Sequence, residues 1–475
     1  MDKVKKKWLG FFAMGLGFAM VYLDQTALNV ALPAIQRQFN ANETQLFWIV
    51  NAYLLPLAIL GLSSGRLGDM VGLRKIFLWG LVIFTLASIG CGIAFSPWFL
   101  IMFRALQGVG GAVIPVVIAA SVYHLFPEGK RGKPMGCVGM MASVTILIGP
   151  IVGGLFTTYG TWRWVFWINP IIGVFSFAIT YFLMKELDKE KETNTTFDFS
   201  GQLLFFAFLV PVIIALMQGE NWGWGSAIII TLLCVGVAFL PVFVWYERRV
   251  AHPLFDFKLM KNLNFSISCI IFFCGQFAFI ASVFIALYII RSLGKTPFEA
   301  GLCLMPTAIL AGIMNPVSGM IIDKIGYRKL IQLGLLGCVI AYLLISITAH
   351  TLSYFWLFIG LSINGLSASV YFMSTYSMII HSTPKNQQGM ASGVASTIRQ
   401  VGSVFSMSLI GIIIILFQQM SPASLSQGEV FARGFSVGMA LVAFILCIAL
   451  VSSVWIDKKK SNYKASKEDE IPTKL

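Results

Sequence analysis

Apolar runs of bilayer-spanning length recur from one end of this chain almost to the other, and no other feature limits its fold as tightly. The first, WLGFFAMGLGFAMVYL (8–23), holds no charged side chain until Asp24 follows it. About 20 such residues cross a hydrocarbon core as a helix. In lipid the backbone must satisfy its own hydrogen bonds, which leaves helices or a closed barrel. Runs this long and this continuous specify helices. Charged residues make up only 11% of the chain, against about a quarter in a soluble protein, so a soluble globular fold is excluded. The pattern predicts an all-α polytopic membrane protein of fourteen spans. They lie at roughly 8–33, 44–64, 76–95, 97–122, 134–158, 163–184, 200–218, 224–246, 264–290, 298–321, 329–348, 351–376, 388–417 and 433–456.

A net charge of +14 would suit a nucleic-acid binder, but the placement of the charges argues against one. With the N-terminus cytoplasmic, cytoplasmic segments hold 27 of the 34 Lys and Arg. Five (Arg37, Arg163, Arg291, Lys295 and Arg433) fall outside, and two lie within spans. That asymmetry is the positive-inside signature, and an even span count places both termini inside. MDKVKKKW opens into a run of full spanning length without an A-x-A-like site, so the first helix is expected to be an uncleaved anchor. All eight cysteines fall in apolar spans without CxxC spacing and read as small hydrophobes, neither metal ligands nor disulfides.

The chain repeats itself. GRLGDMVGLRK (65–75) after span 2 and GMIIDKIGYRK (319–329) after span 10 align Gly65, Asp69, Gly72, Arg74 and Lys75 with Gly319, Asp323, Gly326, Arg328 and Lys329. FPEGKRGKPMG (126–136) and TPKNQQGMASG (383–393) give a weaker echo. The expected organisation is a six-helix bundle over 1–184, a linker with two additional spans over 185–262, a second six-helix bundle over 263–457, and a basic cytoplasmic tail over 458–475. Two parallel six-helix halves are the trace of a rocking transporter with its site between them.

With these residues in hand, the chain resembles the major facilitator superfamily, in its fourteen-helix drug:proton antiporter branch, over nearly all its length. GRLGDMVGLRK is similar to that family's loop signature between helices 2 and 3, and RALQGVGGA (104–112) to the helix-4 signature of proton-coupled members. GPIVGG (149–154) resembles the end of the helix-5 antiporter signature. LDQTALNVALP (23–33) and WRWVFWINP (162–170) resemble branch signatures in helices 1 and 6. Met141 and Thr145 stand where the antiporter signature has glycines, and Tyr288-Ile289-Ile290 where the branch often reads Tyr-Leu-Gln. The resemblance implies a major facilitator fold, and a loop signature that latches the cytoplasmic side shut in the outward-facing state. It also places Arg104 near the proton pathway.

Asp24 is the one acid placed deep within a span. It lies about 25 Å of helix from Lys7 and about 14 Å from Pro33, near the middle and displaced outward. An intramembrane acid is a functional candidate by default, because burial favours its neutral form and a partner favours its charged one. A structural Asp, capping a broken helix or hydrogen-bonded to Thr26 and Asn29, is the alternative. Arg104, about 10 Å into span 4, is its natural partner and cannot discharge. The two form the candidate proton-coupling pair, with a static ion pair as the alternative. Arg399 in STIRQVGSVFS is the other intramembrane cation, available to an anionic group or to neighbouring carbonyls.

In the repeated signature, Asp69 and Asp323 can accept from exposed N–H groups at a helix start. Arg74 and Arg328 can bridge to carboxylates or headgroups, while Gly65, Gly72, Gly319 and Gly326 permit close contact and sharp turns. These eight form the candidate conformational latch. Gly149, Pro150, Gly153 and Gly154 are the candidate helix-bend. Asn29, Trp48, Tyr53, Gln107, Tyr288 and Arg399 are the candidate substrate cavity. No phosphate loop, metal cluster or enzyme signature is present, so no cofactor is expected beyond a proton gradient.

The reading is a proton-coupled secondary transporter of the plasma (inner) membrane, exporting amphipathic or hydrophobic small molecules by alternating access as a functional monomer. Its partners are that substrate, protons and the bilayer, with no nucleic acid. A proton symporter for a metabolite or siderophore, a lipid or lysolipid flippase of the same fold, and a non-transporting scaffold or sensor are the rivals. Spans 2 and 10 carry no buried acid, which disfavours polycations.

Overall fold

The computed structural model describes residues 3–127, 130–188, 197–250, 253–295, 297–384, 387–420 and 425–457. The basic tail 458–475 lies outside them, as do the side chains of Pro150 and Asp323 within their helices. Among the described residues, fourteen helices are long and apolar enough to span a membrane. They are α1 (Lys3–Phe39), α2 (Glu43–Val71), α3 (Leu73–Gly92), α4 (Pro97–Leu125), α5 (Gly132–Tyr159), α6 (Trp164–Leu183) and α7 (Phe199–Trp222). They continue as α8 (Ala227–Glu247), α9 (Leu263–Arg291), α10 (Pro297–Ile325), α11 (Tyr327–Thr348), α12 (Tyr354–His381), α13 (Gln388–Gln419) and α14 (Gln427–Ser452).

Several helices outrun their apolar cores. α1 has 37 residues, or about 55 Å of helix against a hydrocarbon core of about 30 Å. The overhangs are held by ordinary capping chemistry. Asn42 and Gln45 form a capping box on α2, Ser426 and Glu429 form one on α14, and Ser96 with Pro97 starts α4.

The end of the bundle carrying both chain termini and both repeated signatures is here called the base. There the repeat is structural as well as sequential. Gly72 alone joins α2 to α3 at φ 107°, and Gly326 alone joins α10 to α11 at φ 85°. A backbone reversal of one residue at positive φ is a position where glycine carries no Cβ penalty. Gly65, Asp69 and Gly319 lie in the closing turns of α2 and α10 and not in loops.

Helices α1–α6 pack mainly among themselves, as do α9–α14, while α2 meets α13 and α5 meets α10 across the divide. The hairpin α7–α8 leans on α2 and α13 through α7. Among the described residues, the hydrogen bonds that join the first six helices to the last six run from the base to about mid-depth. They are Asp69 with Gly389 and Met390, Ser392 to the Val116 carbonyl, Tyr123 to the Ser377 carbonyl, and Asn315 to Ser143. This conformer is closed at its base.

Candidate functional site

Asp24 is fully buried in the middle of α1, and three helices converge on it. From α4, Arg104 Nη1 donates to its Oδ2 at 2.5 Å, and Gln107 Nε2 donates to Oδ1 at 2.9 Å. From α6, Asn169 Nδ2 donates to Oδ1 at 2.9 Å. On α3, Ser88 Oγ accepts from Gln107 at 2.8 Å and from Asn169 at 3.2 Å, and passes its own proton to the Phe84 carbonyl. Asp24, Gln107, Asn169 and Ser88 are each 0% exposed, and Arg104 is 1% exposed. The carboxylate has no solvent-exposed surface, and protein donors surround it.

Arg104 is over-supplied with partners, a point that matters for any switching. Nη1 also donates to Gln107 Oε1 at 2.6 Å, and Nε donates to the Ile49 carbonyl at 3.2 Å. Its guanidinium carbon stands 4.1 Å from the Tyr53 ring centre, a cation–π position. Breaking a buried ion pair leaves an uncompensated charge and costs about 3–5 kcal/mol. Arg104 holds neutral acceptors that would soften this loss on its own side. The arrangement suits a carboxylate whose charge can change while the cation stays in place.

Local sequence explains the convergence. Gly108 on α4 lies against the Tyr53 carbonyl, where a Cβ would collide, so α2 and α4 approach closely beside Arg104. Gly149 and Gly153 on α5 do the same against Thr26 and Ala27 of α1. Met141 stands where the antiporter signature has glycine, and its side chain fills the space beside Gly15 of α1, so the small residue has changed sides. α5 is one continuous helix, with Gly149 and Gly153 as points of close approach to α1; Gly154 has only Val30 within 4 Å.

The other expected residues divide. Gln107 joins the Asp24 network. Thr26 hydrogen-bonds the Tyr22 and Leu23 carbonyls, and Asn29 is exposed, so neither is the structural partner considered for Asp24. Tyr53 and Tyr288 are core residues in this conformer and do not line a cavity. Tyr53 lies under Arg104 with its hydroxyl to the Val21 carbonyl. Tyr288 stacks on Phe435 at 4.4 Å and donates to the Ala349 carbonyl. Both rings face helix neighbours. Trp48 is half-buried. Arg399 stands 5.5 Å from the Tyr22 ring, so the second intramembrane cation meets α1 across the divide, two residues before Asp24.

At the base, Asp69 Oδ1 and Oδ2 accept from the backbone N–H of Gly389 and Met390, each at 2.9 Å. These are free donors at the start of α13, where a carboxylate also complements the helix dipole. A Cβ on Gly65 would strike the Gly389 carbonyl, and one on Gly319 would strike the Gly132 carbonyl at the start of α5. The acid and the glycines therefore work between the two groups of six. The arginines also have partners close to home. Arg74 binds Asp188 at 2.7 Å and the Tyr181 carbonyl at 2.6 Å, and Arg328 binds the Ile456 carbonyl at 3.0 Å, each within its own group.

Asn169 and Ser88 were not singled out from sequence. Asn169 sits in WRWVFWINP, and its signal was an amide at a depth matching Asp24. A neutral side chain in a span does not stand out as a charge does.

A sequence model of the Major Facilitator Superfamily matches residues 14–407. The multidrug resistance protein Stp of Mycobacterium tuberculosis (strain CDC 1551 / Oshkosh) is 32% identical over 405 residues, covering 85% of this chain and 75% of Stp. The uncharacterized MFS-type transporter YvkA of Bacillus subtilis (strain 168) is 30% identical over 412 residues, covering 86% and 91%. Among solved structures, the human organic anion transporter MFSD10 (TETRAN) aligns with a TM-score of 0.67 at 14% identity, over 93% of this chain and 99% of that one. The proton:xylose symporter XylE aligns with a TM-score of 0.66 at 14% identity, over 97% and 98%. At that identity the solved structures speak for the fold alone. The sequence match and the fourteen helices together make this chain a multi-pass membrane transporter, and no enzyme, belonging to the Major Facilitator Superfamily.

Proposed function

We propose that the chain is a proton-coupled exporter of amphipathic or hydrophobic small molecules, working by alternating access in the plasma (inner) membrane with both termini cytoplasmic. The observation that carries this reading is Asp24, a fully buried mid-span carboxylate held by three protein donors. Intramembrane acids of this kind are costly to keep and are used for proton relays and substrate pathways. The likeness to Stp, a multidrug resistance protein, supports drug-like compounds as the substrate class.

The geometry supports a sequence of events. In the base-closed conformer the ionised carboxylate ties α1 to α4 and α6. A proton arriving on Asp24 removes its charge and turns Oδ2 into a hydroxyl, which accepts from Arg104 only weakly. The guanidinium keeps Gln107 Oε1, the Ile49 carbonyl and the Tyr53 face. α1 is thereby loosened from Arg104 of α4 while it stays seated on α5 at Gly149 and Gly153. The start of α5 in turn bears on α10 at Gly319. Proton state at mid-depth and closure at the base then share one helix. No acid lies at mid-span depth on α2 or α10, which favours neutral, anionic or monocationic compounds over polycations.

The test is accumulation of a lipophilic monocationic dye by everted vesicles with an acid interior. Wild type is expected to accumulate dye until the gradient is collapsed, and Asp24→Asn is expected to lose the gradient dependence. Accumulation that requires the opposite gradient would identify a symporter and overturn the exporter reading.

A further inference from the structure

A second cluster of buried charge lies far from Asp24, where the α7–α8 hairpin meets α2 at the base. Asp198 caps α7 and is 9% exposed; its Oδ1 accepts from Gly201 N at 2.7 Å and from the Tyr246 hydroxyl at 3.2 Å. Glu247 ends α8 and is 2% exposed; its Oε2 accepts from Phe255 N at 3.1 Å. Each acid has one further oxygen, Asp198 Oδ2 and Glu247 Oε1, which is buried and has no hydrogen-bond donor. Both point at the same spot, since a Cβ on Gly201 would collide with the two of them. The charged groups that act on Glu247 are Asp198 from α7 and Arg66 from α2. Arg66 is 5% exposed and lies three residues before the latch acid Asp69. Beside it, Ser63 of α2 hydrogen-bonds Gln202 of α7.

Buried polar atoms are nearly always partnered, and two carboxylates in one dry site resist ionising together. One proton resolves both difficulties: it gives the two orphaned oxygens a shared donor, and it leaves one net negative charge opposite one arginine. We propose that Asp198 and Glu247 form a second protonation site, holding a single proton between them and setting how strongly the α7–α8 hairpin grips α2. With the proton present the pair balances Arg66. With the proton gone, two negative charges hold Arg66 and draw the hairpin onto the last turns of α2, next to the base seal. The two helices that lie outside the six-helix repeat then act as a clamp that responds to pH on the base side of the membrane.

The experiment is infrared titration of the purified full chain in lipid, following the carbonyl stretch of protonated carboxyl groups across the pH range. Wild type is expected to show a titrating buried-carboxyl band beyond that of Asp24, and both Glu247→Gln and Asp198→Asn are expected to abolish this additional band. Each variant keeps the side-chain shape, and Asn still caps a helix. Asp24→Asn is expected to retain the band, so the outcome is independent of the exporter reading. A melting temperature for each variant separates loss of the proton site from loss of the fold. A band unchanged in both variants would overturn the proposal, as would its displacement by sodium at constant pH, which would assign the site to a metal cation.

Discussion

The first six helices and the last six share a skeleton and differ in what they bury. Both turn on a single positive-φ glycine, Gly72 and Gly326, and both press a glycine, Gly65 and Gly319, against a backbone carbonyl of the opposite group. Inside, the resemblance stops. The first six hold Asp24 and Arg104, each 1% exposed or less, within a web of amides. Among the described residues of α9–α14, no Asp, Glu, Lys or Arg is buried. Their interior polar groups are neutral, led by tyrosines that donate to backbone carbonyls: Tyr342 to Ala278 at 2.5 Å, Tyr371 to Gly275 at 2.9 Å and Tyr288 to Ala349 at 2.7 Å. A hydroxyl–carbonyl bond has one protonation state at working pH, whereas a carboxylate has two. Duplicated architecture thus supplies the hinge, and charge in one copy supplies the response.

If the comparison is right, the two interiors should answer mutation very differently. The largest effect is expected from Arg104→Ala, which leaves Asp24 buried beside neutral donors and should cost about 3–5 kcal/mol. A lowered unfolding midpoint of purified protein would show it, and a stability equal to wild type would mean the pair is not buried as described. Next comes Asn169→Ala, which removes one neutral donor to the carboxylate and should cost about 1.5–3 kcal/mol. Its gradient-dependent dye accumulation should be weakened with some coupling left, because Arg104 and Gln107 remain.

The shared skeleton has its own test. Gly65→Ala places a methyl group against the Gly389 carbonyl, and Gly319→Ala does the same against the Gly132 carbonyl. Both should shift the population toward a base-open form, measured as increased labelling of a cysteine introduced at the start of α13 or of α5. Equal effects at the two positions would support a two-sided seal, and an effect at only one would show that the halves do not share it. The smallest change is expected from Tyr371→Phe, which removes a neutral hydrogen bond worth about 1 kcal/mol. Transport should persist. Loss of coupling in this variant would contradict a second half whose buried polar groups only support the fold.

What the sequence disclosed follows from the same contrast. Fourteen spans were legible because continuous apolar length has few other uses. Asp24 and Arg104 were legible because a charge inside such a run is an anomaly. Asn169 and Ser88 were not, since an amide or a hydroxyl in a span is common and carries no sign of what it faces. Tyr53 and Tyr288 were assigned to a cavity, yet both lie in the core. An aromatic residue in an amphiphile-like helix reads the same on either face. Asp198 and Glu247 were counted with the charged linkers, because the helices run past their apolar cores and carry those acids into buried ends. The latch residues were identified by the repeat, but which of them cross between the groups depended on helix packing. Asp69 reaches α13, while Arg74 stays with Asp188.

The most direct test concerns the proton on Asp24. Purified full-length protein in weakly buffered detergent solution is mixed with a lipophilic monocationic dye, and the pH of the bulk is followed. Wild type is expected to release protons as dye binds, with Asp24→Asn releasing none while still binding dye. Equal proton release from the two proteins would contradict the account, as would dye binding to wild type with no proton movement at any pH.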